Sequence, residues 1–159
     1  MGVAGCGKST VASVVAQAEG MPLVEGDDFH GAANCDKMAR GIALTDADRD
    51  AWLRTLEDRL RGADPAIVLT CSALKRAYRE RLRQAAPGLR FVFIDIERDA
   101  ALARAGSRTH FFSASLVDSQ FATLESPVGE PGVLRIDAQW PLQQQQAAVS
   151  AWLHRADPD

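Results

Sequence analysis

Several features are scarce in this chain, and each scarcity closes off a class of protein. Cysteine occurs only as Cys6, Cys35 and Cys71, with no C-x-x-C pair. That spacing supports neither a disulfide framework nor a zinc site, and it suits a reducing, cytoplasmic setting. Positive charge is not in excess: the formal net charge is −3, so no general electrostatic attraction draws the chain to nucleic acid or to an anionic membrane. No apolar run approaches the roughly 18 residues of a membrane-spanning helix, no signal-like segment opens the sequence, and no internal repeat is present. What remains is ordinary. The 159 residues, 47% apolar and 25% charged, suffice for one domain with a sizeable core.

One further absence concerns the amino end. Gly2-Val3-Ala4-Gly5-Cys6-Gly7-Lys8-Ser9 fits the pattern G-x-x-x-x-G-K-[ST] without a mismatch, and such a loop normally follows a buried strand. Met1 alone precedes it. A central strand of a parallel sheet brings a handful of buried apolar side chains worth about 1.5–3 kcal/mol each, a sum comparable to the whole stability of an ordinary domain. The expectation is therefore that the first strand is missing and that the sequence starts late, at an internal methionine.

The loop itself points to phosphate. Its glycines let several backbone N–H groups converge on one concavity, and the positive end of the following helix adds to them. Lys8 is placed to reach the β- and γ-phosphates of a nucleotide and the Ser9 hydroxyl to ligate Mg²⁺, with Thr10 in the same turn. Glycine-rich turns also join elements without binding anything. Here, however, Val11, Val14, Val15 and Ala18 recur at helical spacing and Gly20 closes the segment, the helix such a loop requires.

Downstream, strands and helices alternate. Met21–Glu25 reads as a short strand that runs into Gly26-Asp27-Asp28-Phe29-His30, so Asp27 leaves the carboxyl end of a strand, where open α/β sheets bind ligands; a simple turn cap is the bland alternative. Residues 34–40 form a short helix. Thr45-Asp46-Ala47-Asp48 reads as a capping box opening a helix whose core face is Trp52, Leu53, Leu56 and Leu60. Arg49 falls in its first turn, where a cation opposes the helix dipole, so either it has another task or it is a plain surface arginine. The run 66–71 reads as a strand buried on both faces. It leads into a basic helix on which Lys75 and Arg79 either belong to a solvated face or point into the crevice. Residues 91–96 and 133–137 give further strands, and 141–153 a closing helix. Between them, Arg104 and Arg108 sit in a small, basic and aromatic segment suited to a flap over the phosphates. The alternation predicts an α/β fold: a parallel sheet with helices on both faces, in three layers, as one domain over 1–159 with a lid at about 104–120.

Taken together, Gly2–Thr10, G-D-D-F-H at 26–30, D-x-D-R-x-x-W-L at 46–53, C-S-A-L-K-x-x-Y-R at 71–79 and S-Q-F-x-x-L-E at 119–125 resemble the small P-loop gluconokinases, relatives of shikimate and adenylate kinases, along essentially the whole chain. The resemblance implies the P-loop kinase fold and ATP- and Mg²⁺-dependent phosphorylation of D-gluconate at its 6-hydroxyl. In that reading Gly2, Val3, Ala4, Gly5, Cys6, Gly7, Lys8, Ser9 and Thr10 hold the nucleotide, and Lys8, Asp27 and Arg108 carry the chemistry. Asp27 acts either as base or through Mg²⁺, beside Ser9. Arg104 serves the nucleotide, and Arg49, Lys75 and Arg79 are candidates for the substrate carboxylate, with His30 as a hydroxyl contact. Relatives imply a homodimer. The chain departs from the family pattern at Gly31, Ala43 and Ala51, where prolines are common, at Glu25, where aspartate is usual, at Cys6, and in a lid one residue shorter. Competing readings are a kinase for another small hydroxy acid, such as shikimate, and a nucleotide-binding protein without turnover.

Overall fold

The computed structural model describes residues 1–106 and 114–155. Helix α1 (Lys8–Glu19) begins directly after Gly7, whose φ of 100° turns the loop into the helix, and ends at Gly20, whose N–H reaches back to Ala16 and Gln17. Its buried stripe is Val11, Ala12, Val15 and Ala16. This corrects the stripe read from spacing: Ala18 is exposed, because the two inner alanines let the helix lie close on its neighbours.

Strand β1 (Leu23–Glu25) passes into a single 3-10 turn, Gly26–Phe29, and then α2 (Ala32–Ala39). Helix α3 (Asp46–Arg61) starts at the expected capping box: Asp48 N donates to Thr45 Oγ1 at 3.2 Å and Thr45 N to the Asp48 carboxylate at 2.8 Å. Strand β2 (Val68–Thr70), α4 (Arg76–Ala85), β3 (Phe91–Asp95), α5 (Arg98–Gly106), α6 (Ala114–Thr123), β4 (Val133–Asp137) and α7 (Leu142–Leu153) complete the order. Lys75 is the residue that caps α4, so that helix starts later than the sequence alone suggested.

The strands are parallel and pair as β1–β2, with Leu23 opposite Val68, and β3–β4, with Phe91 opposite Val133. Helices α1 and α7 pack together on one face. There Val11, Val15, Ile94, Ile136 and Val149 form one core. On the other face α3 packs on α4, and Trp52, Leu53, Leu56, Leu82 and Phe91 form a second. The result is a three-layer arrangement with every strand's carboxyl end on the side of the phosphate-loop candidate.

Between the two strand pairs runs a seam. At its upper end the Met1 nitrogen donates to Val92 O at 2.6 Å, Ile94 N donates to Met1 O at 3.0 Å, and Gly2 N donates to Ser72 O at 3.2 Å. Burial pushes this amino group down to about 6. Below it lies an apolar cavity of about 160 Å³ lined by Val15, Val68, Leu69, Phe91, Val92 and Trp152 among others. Val68 and Leu69 are consequently half-buried, where the apolar run 66–71 predicts full burial: β2 pairs along one edge and faces the cavity along the other.

Candidate active site

The first loop is shaped by contacts that tolerate no side chain. Gly5 has φ 81°, and a Cβ there would lie 2.6 Å from the carbonyl oxygen of Ala101 in α5. Only glycine lets loop and helix approach this closely. The Lys8 ammonium lies over the loop, donating to the carbonyls of Gly2 at 3.1 Å and Val3 at 3.0 Å. From the far side Ala4 N donates to Gln120 Oε1 at 2.7 Å, which docks α6 onto the loop.

A cavity of about 180 Å³ opens beside this loop, lined by Gly5, Lys8, Ser9, Asp27, His30 and Arg49, with Ser72, Ser119 and Gln120 closing it. Residues far apart in sequence thus converge on one cavity. Asp27 comes from the turn after β1 and is exposed to the cavity. His30 stacks on Trp52 with ring centroids 4.4 Å apart, and its Nε2 lies 3.9 Å from Asp27 Oδ1. Burial holds the His30 pKa below the usual imidazole value, so the ring is kept neutral. Trp52 is itself fixed by donating its indole N–H to Gly26 O at 2.7 Å. Arg49 is buried, donates to Leu44 O and lies over the Tyr78 ring, 5.9 Å from its centroid. It is therefore no plain surface arginine.

Two expected ligands lie elsewhere. Lys75 does not line the cavity; its ammonium is held by both oxygens of Asp46 at 2.8 Å, an ion pair that also takes the Tyr78 hydroxyl and raises the lysine's pKa. It stands behind Arg49, on the same aromatic ring. Arg79 corrects the crevice reading. It is fully buried, and its nitrogens donate to Ala73 O, Leu74 O, Glu125 O and the Glu130 carboxylate. Those bonds brace the loop after β2, where Ala73 holds a φ of 46°, and leave Arg79 no donor directed at the cavity. Arg108 lies outside the described residues. Arg104, on α5, lies on the other side of the phosphate loop and donates to Ala138 O at 2.9 Å.

The sequence reading missed two residues. Glu25 accepts from the Ser9 hydroxyl at 3.0 Å and from Thr70 Oγ1 at 2.6 Å, which brings a second carboxylate to the first turn of α1. Its position at the carboxyl end of β1 was the available signal. Gln120 falls in the S-Q-F-x-x-L-E stretch that carries the resemblance, but its contact had no local signal, because its partner amide is 116 residues away.

A glycine-shaped loop before a helix, a lysine over it, and acidic and basic side chains from later strand ends define a P-loop phosphotransferase. The comparisons agree. The family model described as an AAA domain matches residues 1–124. A gluconokinase of Gluconobacter oxydans (strain 621H) is 46% identical over 143 residues, covering 87% of this chain and 80% of the relative. A crystal structure of a gluconokinase from Sinorhizobium meliloti 1021 superposes with a TM-score of 0.86 at 41% identity, covering 97% of this chain and 93% of that one. A sugar kinase from Janibacter sp. HTCC2649, in unliganded form, gives 0.89 at 41% identity, covering 96% and 91%. The chain belongs to the gluconokinase family.

Proposed function

We propose that the chain transfers the γ-phosphoryl group of ATP to the 6-hydroxyl of D-gluconate, giving 6-phosphogluconate. The single observation that carries this reading is the convergence of Lys8, Ser9, Asp27, His30 and Arg49 on one cavity beside the phosphate loop. Phosphoryl transfer needs alignment and charge stabilisation more than covalent help from the protein. Loop amides and Lys8 hold the phosphates. Arg49, buried and aimed at the cavity, takes the substrate carboxylate, and the neutral His30 ring exchanges hydrogen bonds with a substrate hydroxyl. Asp27, the carboxylate that lines the cavity, receives the proton of the attacking hydroxyl or holds it in line.

The donor set suits Mg²⁺. Ser9, Asp27 and Glu25 offer only oxygen, and the Ser9 hydroxyl already lies 3.0 Å from the Glu25 carboxylate. When bound, the ion would neutralise charge on the β- and γ-phosphates. Lys75 contributes to the carboxylate field through Asp46 and Tyr78 rather than by contact.

A coupled assay across sugar acids and shikimate, with ATP and Mg²⁺, tests the reading. Gluconate should be the preferred acceptor; turnover that ignores gluconate, or prefers another acid, overturns it.

A further inference from the structure

The acceptor cavity has two ends. At one, Arg49 is held by Leu44 O; at the other, the walls are tied to the phosphate loop itself, Gly2 N donating to Ser72 O at 3.2 Å and Ala4 N to Gln120 Oε1 at 2.7 Å. Gln120, on α6, is half-buried and lines the cavity. A backbone N–H can only donate, so the Ala4 bond fixes which end of the Gln120 amide is which: the oxygen faces the loop and Nε2 is turned away from it. That nitrogen carries two N–H groups. Among the described residues it has no hydrogen-bond partner, and it is not sealed from solvent. Docking α6 on the loop needs the amide oxygen alone and leaves the nitrogen without a structural duty.

We infer that Gln120 Nε2 binds the acceptor, donating a hydrogen bond to the hydroxyl next to the one that is phosphorylated, at C5 of gluconate. The inference rests on the proposed acceptor and extends it to a contact that determines specificity. With the carboxylate at Arg49 and the 6-hydroxyl at the loop, the substrate lies along the cavity, and a donor anchored through its own oxygen to Ala4 sits at the phosphoryl-transfer end. One planar amide then serves both reactants. Its oxygen fixes the loop and its nitrogen fixes the acceptor, so the gap between them is set by one rigid group rather than by two independent side chains. An acid whose chain carries no hydroxyl at that carbon loses this contact, and with it both affinity and alignment.

Steady-state kinetics with gluconate and 5-deoxygluconate, at saturating ATP, tests this. Wild-type protein should show a kcat/KM for gluconate about five- to tenfold above that for 5-deoxygluconate, the worth of one hydrogen bond to a neutral hydroxyl. In Gln120→Met, or in Gln120→Ala should that variant fail to fold, the ratio should fall to near one, whatever happens to the absolute rates. A brace for the loop alone would lower the rates on both acceptors alike and keep the wild-type ratio. That result, or equal wild-type values, overturns the inference and leaves the acceptor assignment standing. Absence of wild-type turnover on gluconate, read before either ratio, overturns the acceptor assignment and this inference with it.

Discussion

At the scale of single residues, charge and burial separate side chains that work on ligand from those that hold the frame. Lys8→Ala and Asp27→Asn should each lower kcat by orders of magnitude while leaving the melting temperature within a few degrees, as steady-state kinetics and thermal unfolding together would reveal. Arg49→Ala should raise the KM for gluconate far more than Lys75→Ala does, because Lys75 is already engaged by Asp46; equal effects would return Lys75 to the cavity. Arg79 behaves differently. Removing it leaves the Glu130 carboxylate, which is 10% exposed, to Arg83 alone and frees the carbonyls of Ala73, Leu74 and Glu125, so Arg79→Met should cost about 1–3 kcal/mol in denaturant unfolding. The hydrogen bond from Arg79, chiefly, holds Glu130 below the usual carboxylate pKa. A depressed carboxylate stabilises the fold above its ordinary value and loses that contribution as pH falls through the folded one. His30 has the same sign for a different reason: burial disfavours its charged form, so the fold is favoured at pH above the usual imidazole value and penalised below it. Wild-type stability should therefore fall from pH 7 to pH 5 more steeply than that of His30→Gln.

At the scale of elements, backbone geometry sets the tolerances. Gly5→Ala forces a left-handed residue with a side chain against Ala101 O, which should cost about 1–3 kcal/mol and abolish measurable nucleotide binding. Thr45→Ala removes one arm of the capping box and should cost about 1 kcal/mol with little effect on KM. These local features were legible in the sequence, since a capping box and a phosphate loop are written in consecutive residues. The strand 133–137 and the closing helix were legible for the same reason, being bounded by turn residues. Buried faces were less so: the α1 stripe depends on which neighbours it meets, and periodicity alone favoured Ala18 over Ala12 and Ala16. The role of Arg79 was hidden because Glu130 is 51 residues away and nothing near either residue announces the pair. The partner of Gln120 was hidden likewise. A glutamine in a helix gives no sign of which distant amide or carbonyl it will face.

At the scale of the whole molecule, the two strand pairs carry different halves of the site. The β1–β2 pair ends in Glu25, the Asp27 turn and Ser72, on the acceptor side. The β3–β4 pair ends in the loop 138–140, beside Arg104 on the other side of the phosphate loop. Between them lies the apolar cavity of about 160 Å³. The backbone of Met1 and Gly2 stitches the halves together where the phosphate loop begins. Any slippage of one plank past the other would therefore be felt first as a change in the gap across which the phosphoryl group must travel.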